Sequence, residues 1–151
     1  MLFRSGAGLG FVFSAVVFIS GIAGWDGGFI NMMLNYNPGA TVLVCFGKGT
    51  LAGLFAGLIY RPLTKVNDTA AAVITGAAAP IVNTGLFAVT MLTVFWGFLA
   101  GNAPADGSMS PVAMLFLSWI GVNFLVELVT NIVLSSVTVR VARIFEKKKS
   151  K

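Results

Sequence analysis

The stretch TVLVCFGKGTLAGLFAGLIY, residues 41–60, is the most informative part of the chain. It is twenty residues long and carries a single charge, Lys48. At about 1.5 Å rise per residue, a helix of that length crosses the roughly 30 Å hydrocarbon core of a bilayer. Gly49, Gly53 and Gly57 recur at every fourth position, a double GxxxG with Ala52 and Ala56 beside it. In lipid, small residues at this spacing let two helix backbones approach closely, and van der Waals packing takes over from the hydrophobic effect. The stretch reads as a transmembrane helix with a packing face.

The composition of the whole chain agrees. Of 151 residues, 57% are hydrophobic and 10% charged, and the mean hydropathy is +0.91. A soluble domain averages about 25% charged. This balance excludes a soluble enzyme, a disordered chain and a nucleic-acid module, despite a net charge of +5. There is no histidine, and Cys45 is the one cysteine. Histidine-based catalysis, a histidine or cysteine-cluster metal site and an intramolecular disulfide are thereby excluded. No cofactor is expected.

Working outward from residues 41–60, three more stretches are long and apolar enough to span. They lie at about 6–24, 69–99 and 111–140. The last two exceed the bilayer thickness and should tilt, kink or project. Pro80, inside the third, is the expected kink. The first resembles a signal peptide in having Arg4 before an apolar run, but Trp25, Asp26 and Gly27 make a poor cleavage site. The expected architecture is one all-α integral membrane domain, a bundle of about four transmembrane helices.

Basic residues orient the bundle, because Lys and Arg accumulate on the cytoplasmic side. Arg4 precedes the first span, and Arg61 and Lys65 separate the second from the third. Arg140, Arg143, Lys147, Lys148, Lys149 and Lys151 fall in the last twelve positions, with the tail proper at 141–151. Such a tail suits an anionic lipid surface. The other two loops, 25–40 and 101–110, contain no Lys or Arg. Both termini are therefore expected inside a cell membrane, with those two loops outside. Trp25-Asp-Gly-Gly28 and Asn35-Tyr-Asn-Pro-Gly39 read as turns around the apolar residues 29–34. That apolar piece is either a segment folded back over the bundle or a short interfacial helix.

Polar residues at membrane depth are costly and are functional candidates by default. Lys48 lies about 10 Å into its span; its structural alternative is snorkelling to the surface. In the last span Asn123, Glu127 and Asn131 are spaced i, i+4, i+8, with Trp119 and Ser135 extending the stripe. A ligand site and interhelical hydrogen bonding both account for it. By depth, Lys48 should reach Asn123 more easily than Glu127. In the third span, Pro80-Ile-Val-Asn-Thr-Gly85 offers Asn83 and Thr84 next to a proline break. Such a break is tolerated where it faces protein or a cavity. Trp25, Trp96 and Trp119 fall toward the outer side, as an aromatic belt or as walls of an outward pocket. No catalytic constellation and no nucleotide-binding motif appears, so the chain is not expected to be an enzyme.

The segment from Phe46 to Tyr60, then Pro80-Ile-Val-Asn-Thr-Gly-Leu-Phe87, then the polar stripe of the last helix, resembles the substrate-binding S component of an energy-coupling factor (ECF) transporter. The resemblance covers most of the chain, from Gly6 to about Arg143. It implies capture of a vitamin or similar micronutrient near the outer face. It also implies docking on a transmembrane coupling protein with two ATPases, within the lipid bilayer and without nucleic acid. S components have six spans, so these four resemble the last four, and the chain is expected to lack the first two. On that resemblance Lys48, Asn83, Trp96, Trp119, Asn123 and Glu127 are the expected ligand contacts. Lys48 suits an anionic or zwitterionic ligand. Gly49, Gly53 and Gly57 are expected to serve helix packing or docking. Two other classes stay open: a four-span structural or assembly subunit, and a small channel or ion-coupled transporter using Glu127.

Overall fold

One asparagine sets the geometry of the loop end. Asn37 has an extended backbone, and its N–H closes helix α2 (Phe29–Tyr36) on the Met33 carbonyl at 2.9 Å. Its side-chain oxygen accepts from the Ala40 N–H at 3.0 Å and so opens α3 (Pro38–Leu63), with Pro38 in the first turn. Asparagine caps by filling an orphan donor, and proline there loses no hydrogen bond. Asn67 does the same for α4 (Asp68–Thr93), accepting from the N–H groups of Thr69 and Ala70 at 2.9 and 3.1 Å. Ser110 caps α6 (Pro111–Met114) through the Ala113 N–H.

The computed structural model describes residues 2–149, with side chains described for 6–121 and 123–137. All its described regular structure is helical. Helix α1 (Leu2–Ile22) packs on α3, α3 on α4, and α4 on α7 (Val122–Lys149). Three helical stretches, Pro38–Leu63, Asp68–Thr93 and Pro111–Val137, are long and apolar enough to cross a membrane; Gly6–Ile22 is a shorter apolar helix. Only 11% to 18% of the apolar windows of the long three is buried within the chain, so their apolar side chains are left for lipid. The basic side chains Arg4, Arg140, Arg143, Lys147, Lys148, Lys149 and Lys151 fall outside the described ones.

The seam between α1 and α3 is built from glycine. A Cβ at Gly53 would strike the Gly6 carbonyl oxygen, and one at Gly10 the Gly49 carbonyl oxygen. A Cβ at Gly6 would stand 2.6 Å from the Gly53 oxygen and 3.5 Å from the Gly57 Cα. Ser14 completes the α1 stripe, turning its hydroxyl back onto the Gly10 carbonyl at 2.8 Å. The double GxxxG of α3 thus meets a second small-residue stripe within the same chain.

Two expected spans differ in detail. The stretch 69–99 is divided: α4 runs unbroken through Pro80 but stops at Thr93, and α5 (Trp96–Gly101) starts afresh. Phe95 sits at the break and is fully buried, with Phe98 and Leu99 following it into the core. Burying these three side chains offsets the interrupted hydrogen-bond ladder. The last span enters as α6, passes through a π-helical segment (Leu115–Gly121) and continues as α7. The packed core lies at this loop end, where Met33, Met91, Phe95, Phe98, Leu99, Met114 and Leu115 form one cluster. In the loop between α5 and α6, Asp106 accepts from the Ser108 N–H at 3.0 Å, which holds its carboxyl below the ordinary range.

Candidate functional site

The apolar residues 29–34 form α2, and α2 lies over the bundle. The chain reaches it through Gly24, Gly27 and Gly28, whose φ values of 84°, 72° and 83° belong to the left-handed region. Asp26 then caps the helix with both carboxylate oxygens, accepting from Gly28 at 3.0 Å and Ile30 at 2.9 Å. Asn31 ties α2 down, donating to the carbonyls of Gly21 and Ile22 at the end of α1. Ile30 and Met33 are buried by this docking.

Beneath α2 lies a cavity of about 540 Å³. That is within the roughly 300–1,000 Å³ of small-molecule sites. The helix row curls to enclose it, since Val17 of α1 and residues of the last helix line the same space. Lys48 and Cys45 enter from α3, one turn apart. Asn83, Thr84 and Phe87 enter from α4, and Trp119, Asn123 and Glu127 from the π segment and α7. Asp26, Phe29 and Met33 close the loop side.

The polar groups are arranged around an apolar wall. The Lys48 ammonium sits 5.0 Å from the centroid of the Phe87 ring, a cation–π distance. Lys48 and Glu127 act on each other electrostatically, yet no contact ion pair within 4.0 Å forms among the described residues. The Asn83 amide faces the Glu127 carboxylate, and its own Oδ1 is buried without a hydrogen-bond partner. Phe29 holds the ring system together, with its centroid 4.9 Å from Trp119, 6.0 Å from Phe87 and 6.2 Å from Phe98.

Five of the six residues expected as ligand contacts therefore meet at one cavity: Lys48, Asn83, Trp119, Asn123 and Glu127. Trp96 does not line it. The break at Phe95 makes Trp96 the first residue of α5, where it is 46% exposed while Phe98 and Leu99 turn inward. The polar stripe of the last helix also divides. Asn131 donates back to the Glu127 carbonyl at 2.9 Å, and Ser135 fills the notch at Gly76 of α4. Gly49 and Gly53 face α1, on the other side of α3.

Cys45, Phe87, Phe29, Met33 and Asp26 also line the cavity, although none of them was expected as a ligand contact. Cys45 and Phe87 carried a usable signal. They stand three residues before Lys48 and four after Asn83, so they share a helix face with those residues. Phe29, Met33 and Asp26 are placed by the fold of α2, which periodicity cannot supply. Comparison with protein families, with curated proteins and with solved structures finds no match for this chain.

Proposed function

We propose that the protein is the ligand-capturing membrane subunit of an ECF-type uptake transporter for a micronutrient. One observation carries this reading. A cavity of suitable size gathers Lys48, Glu127, Asn83 and Asn123, with no contact ion pair between the lysine and the carboxylate among the described residues. A charge held in a bundle merely for stability is better replaced by an apolar residue of similar volume. A lysine facing a cavity acquires its partner when an anion enters. The ligand is anionic or zwitterionic.

The segment over the cavity, residues 25–40, and the loop 101–110 carry no Lys or Arg, which supports an outward-facing mouth, both termini in the cytoplasm and location in a cell membrane. With no nucleotide motif in the chain, energy would come from the coupling protein and two ATPases that the S-component resemblance implies. The assembly-subunit reading loses its main surface, because the GxxxG face of α3 is already taken by α1.

The test is purification from native membranes, followed by denaturation and mass analysis of the released small molecules. We expect one polar molecule at a stoichiometry near one per chain. Folded protein that releases none, and takes up none from a filtered cell extract, sinks the proposal. Vesicles that then pass radiolabelled cations would favour a channel instead.

A further inference from the structure

The last span serves two partners at once, and α-helical winding alone does not phase them. Its first part buries Met114, Leu115 and Ile120 in the loop-end core, and Trp119 packs against the same cluster. Its second part, α7, packs on α4 and brings Asn123 and Glu127 to the cavity. Met114 and Trp119 are five residues apart in the chain, as are Leu115 and Ile120. On an α-helix, residues five apart diverge by about 140°. A π turn closes i→i+5 hydrogen bonds, so it holds one residue more and brings residues five apart onto one face. The π segment Leu115–Gly121 thus absorbs a residue that would otherwise throw the core face and the cavity face out of phase.

Gly121 is the residue this winding asks for. Phe116 lies five residues before it, and a Cβ at Gly121 would stand 3.0 Å from the Phe116 carbonyl oxygen, closer than ordinary van der Waals contact. Beyond its own helical turn, no other heavy atom among the described residues lies within 4 Å of that Cβ. Gly121 therefore differs from Gly10 and Gly53, which abut the backbone of another helix. Its only close neighbour is the carbonyl that π winding brings beneath it. We propose that Gly121 is a positioning residue for the cavity. By admitting the π turn, it lets Trp119, Asn123 and Glu127 face the cavity while Met114 and Leu115 stay in the core. This goes beyond ligand capture, since it says what sets the phase of the site whatever molecule enters.

Leu117 marks the spare residue, because it is 67% exposed and does not line the cavity. Deleting it turns each five-residue spacing into a four-residue one, about 40° apart on a plain α-helix, so both faces survive. The test compares Gly121→Val, deletion of Leu117, and the two together. Trp25→Phe and Trp96→Phe make Trp119 the sole tryptophan, and all proteins are held in lipid nanodiscs. Near-UV circular dichroism reads the Trp119 ring, which stands edge-on to Phe29 at 4.9 Å. Mass analysis of small molecules released on denaturation reads the site. We expect Gly121→Val to lose most of the Trp119 band and most of the molecule released per chain. Deletion of Leu117 alone should keep both, and it should restore both to Gly121→Val, whether that variant is merely rearranged or unfolded. A glycine needed for helix packing would show no such rescue. The proposal is overturned if Gly121→Val keeps the band, if the deletion does not rescue it, or if the deletion alone loses the band. If the unmodified protein releases no molecule, ligand capture fails by itself, and the Trp119 band still decides the role of Gly121.

Discussion

Helix α3 turns one face to α1 and another to the cavity, and the two faces are built on opposite principles. Toward α1 it presents Gly49 and Gly53, and backbone meets backbone with no room for a Cβ. Toward the cavity it presents Cys45 and Lys48, and side chains of α4 and the last helix line the other sides of about 540 Å³ of space. The first contact is close and extensive, and its Ser14 hydroxyl is satisfied within its own helix. The second holds a charge apart from its counter-charge and leaves an amide oxygen unpaired. Functional sites are where a fold departs from its own packing rules. The glycine motif of α3 thus holds the fold together while its lysine faces the candidate site.

The largest effect should come from filling the glycine seam. Gly53→Ile drives a branched side chain into the Gly6 carbonyl and the Gly10 backbone, neither of which can move aside within a helix. We expect a loss of about 3 kcal/mol or more, at the upper end for overpacked positions. Unfolding in a detergent titration would measure it, and binding would be lost only through misfolding. Stable, folded Gly53→Ile protein would break the comparison outright, because the close approach of α1 and α3 would then be wrong.

The cavity should respond in the opposite way. Lys48→Met keeps an unbranched side chain, one atom shorter, and removes the charge facing Glu127 and Phe87. We expect the copurifying molecule to bind about 100-fold more weakly, equivalent to roughly 2.7 kcal/mol for a charged hydrogen-bonded contact. Thermal stability should stay level or rise, since a desolvated charge is gone. Equal losses of binding and stability would mean that Lys48 is structural, and the contrast between the two faces of α3 would collapse.

Much of this contrast is legible in the sequence, and the limits have physical causes. GxxxG spacing and the depth of Lys48 follow from helical periodicity, so both faces of α3 could be read directly. Asn123 and Glu127 were readable as one stripe for the same reason. Asn131 and Ser135 fell in that stripe too, yet one bonds its own helix and the other fills Gly76. A stripe gives a direction and does not say what lies opposite. Trp96 shows the other limit. Its expected role assumed one helix over 69–99, and the burial of Phe95 ends that helix early. The π turns at Leu115–Gly121 that present Trp119 have no sequence signature that distinguishes them from α-helix.

A middle-sized effect should come from the lid. Asp26 bonds two N–H groups at the start of α2, and α2 roofs the cavity without being part of either helix seam. Asp26→Ala removes both bonds, a loss of about 1 kcal/mol for a helix cap. We expect global unfolding to change little and the dissociation rate of the copurifying molecule to rise about fivefold, read by stopped-flow Trp fluorescence. An unchanged dissociation rate would mean that α2 does not gate the cavity.

The smallest effect sharpens the comparison most, because one chemical change is made at two places on one helix. A Cβ at Gly47 meets nothing within 4 Å, whereas at Gly53 it meets the Gly6 oxygen and stands 3.0 Å from the Gly10 Cα. In water, Gly→Ala inside a helix gains up to about 1 kcal/mol from reduced backbone freedom. In a bilayer the separated helices stay helical, so most of that gain is present before they pack and cancels. Gly47→Ala should therefore stabilise by only a few tenths of a kcal/mol, against a loss of about 1–3 kcal/mol for Gly53→Ala. The same detergent titration reads both. A gain near the full aqueous value at Gly47 would mean that α3 itself melts when the protein unfolds. Equal losses at the two positions would mean that glycine is needed along all of α3, and that its two faces are not different in kind.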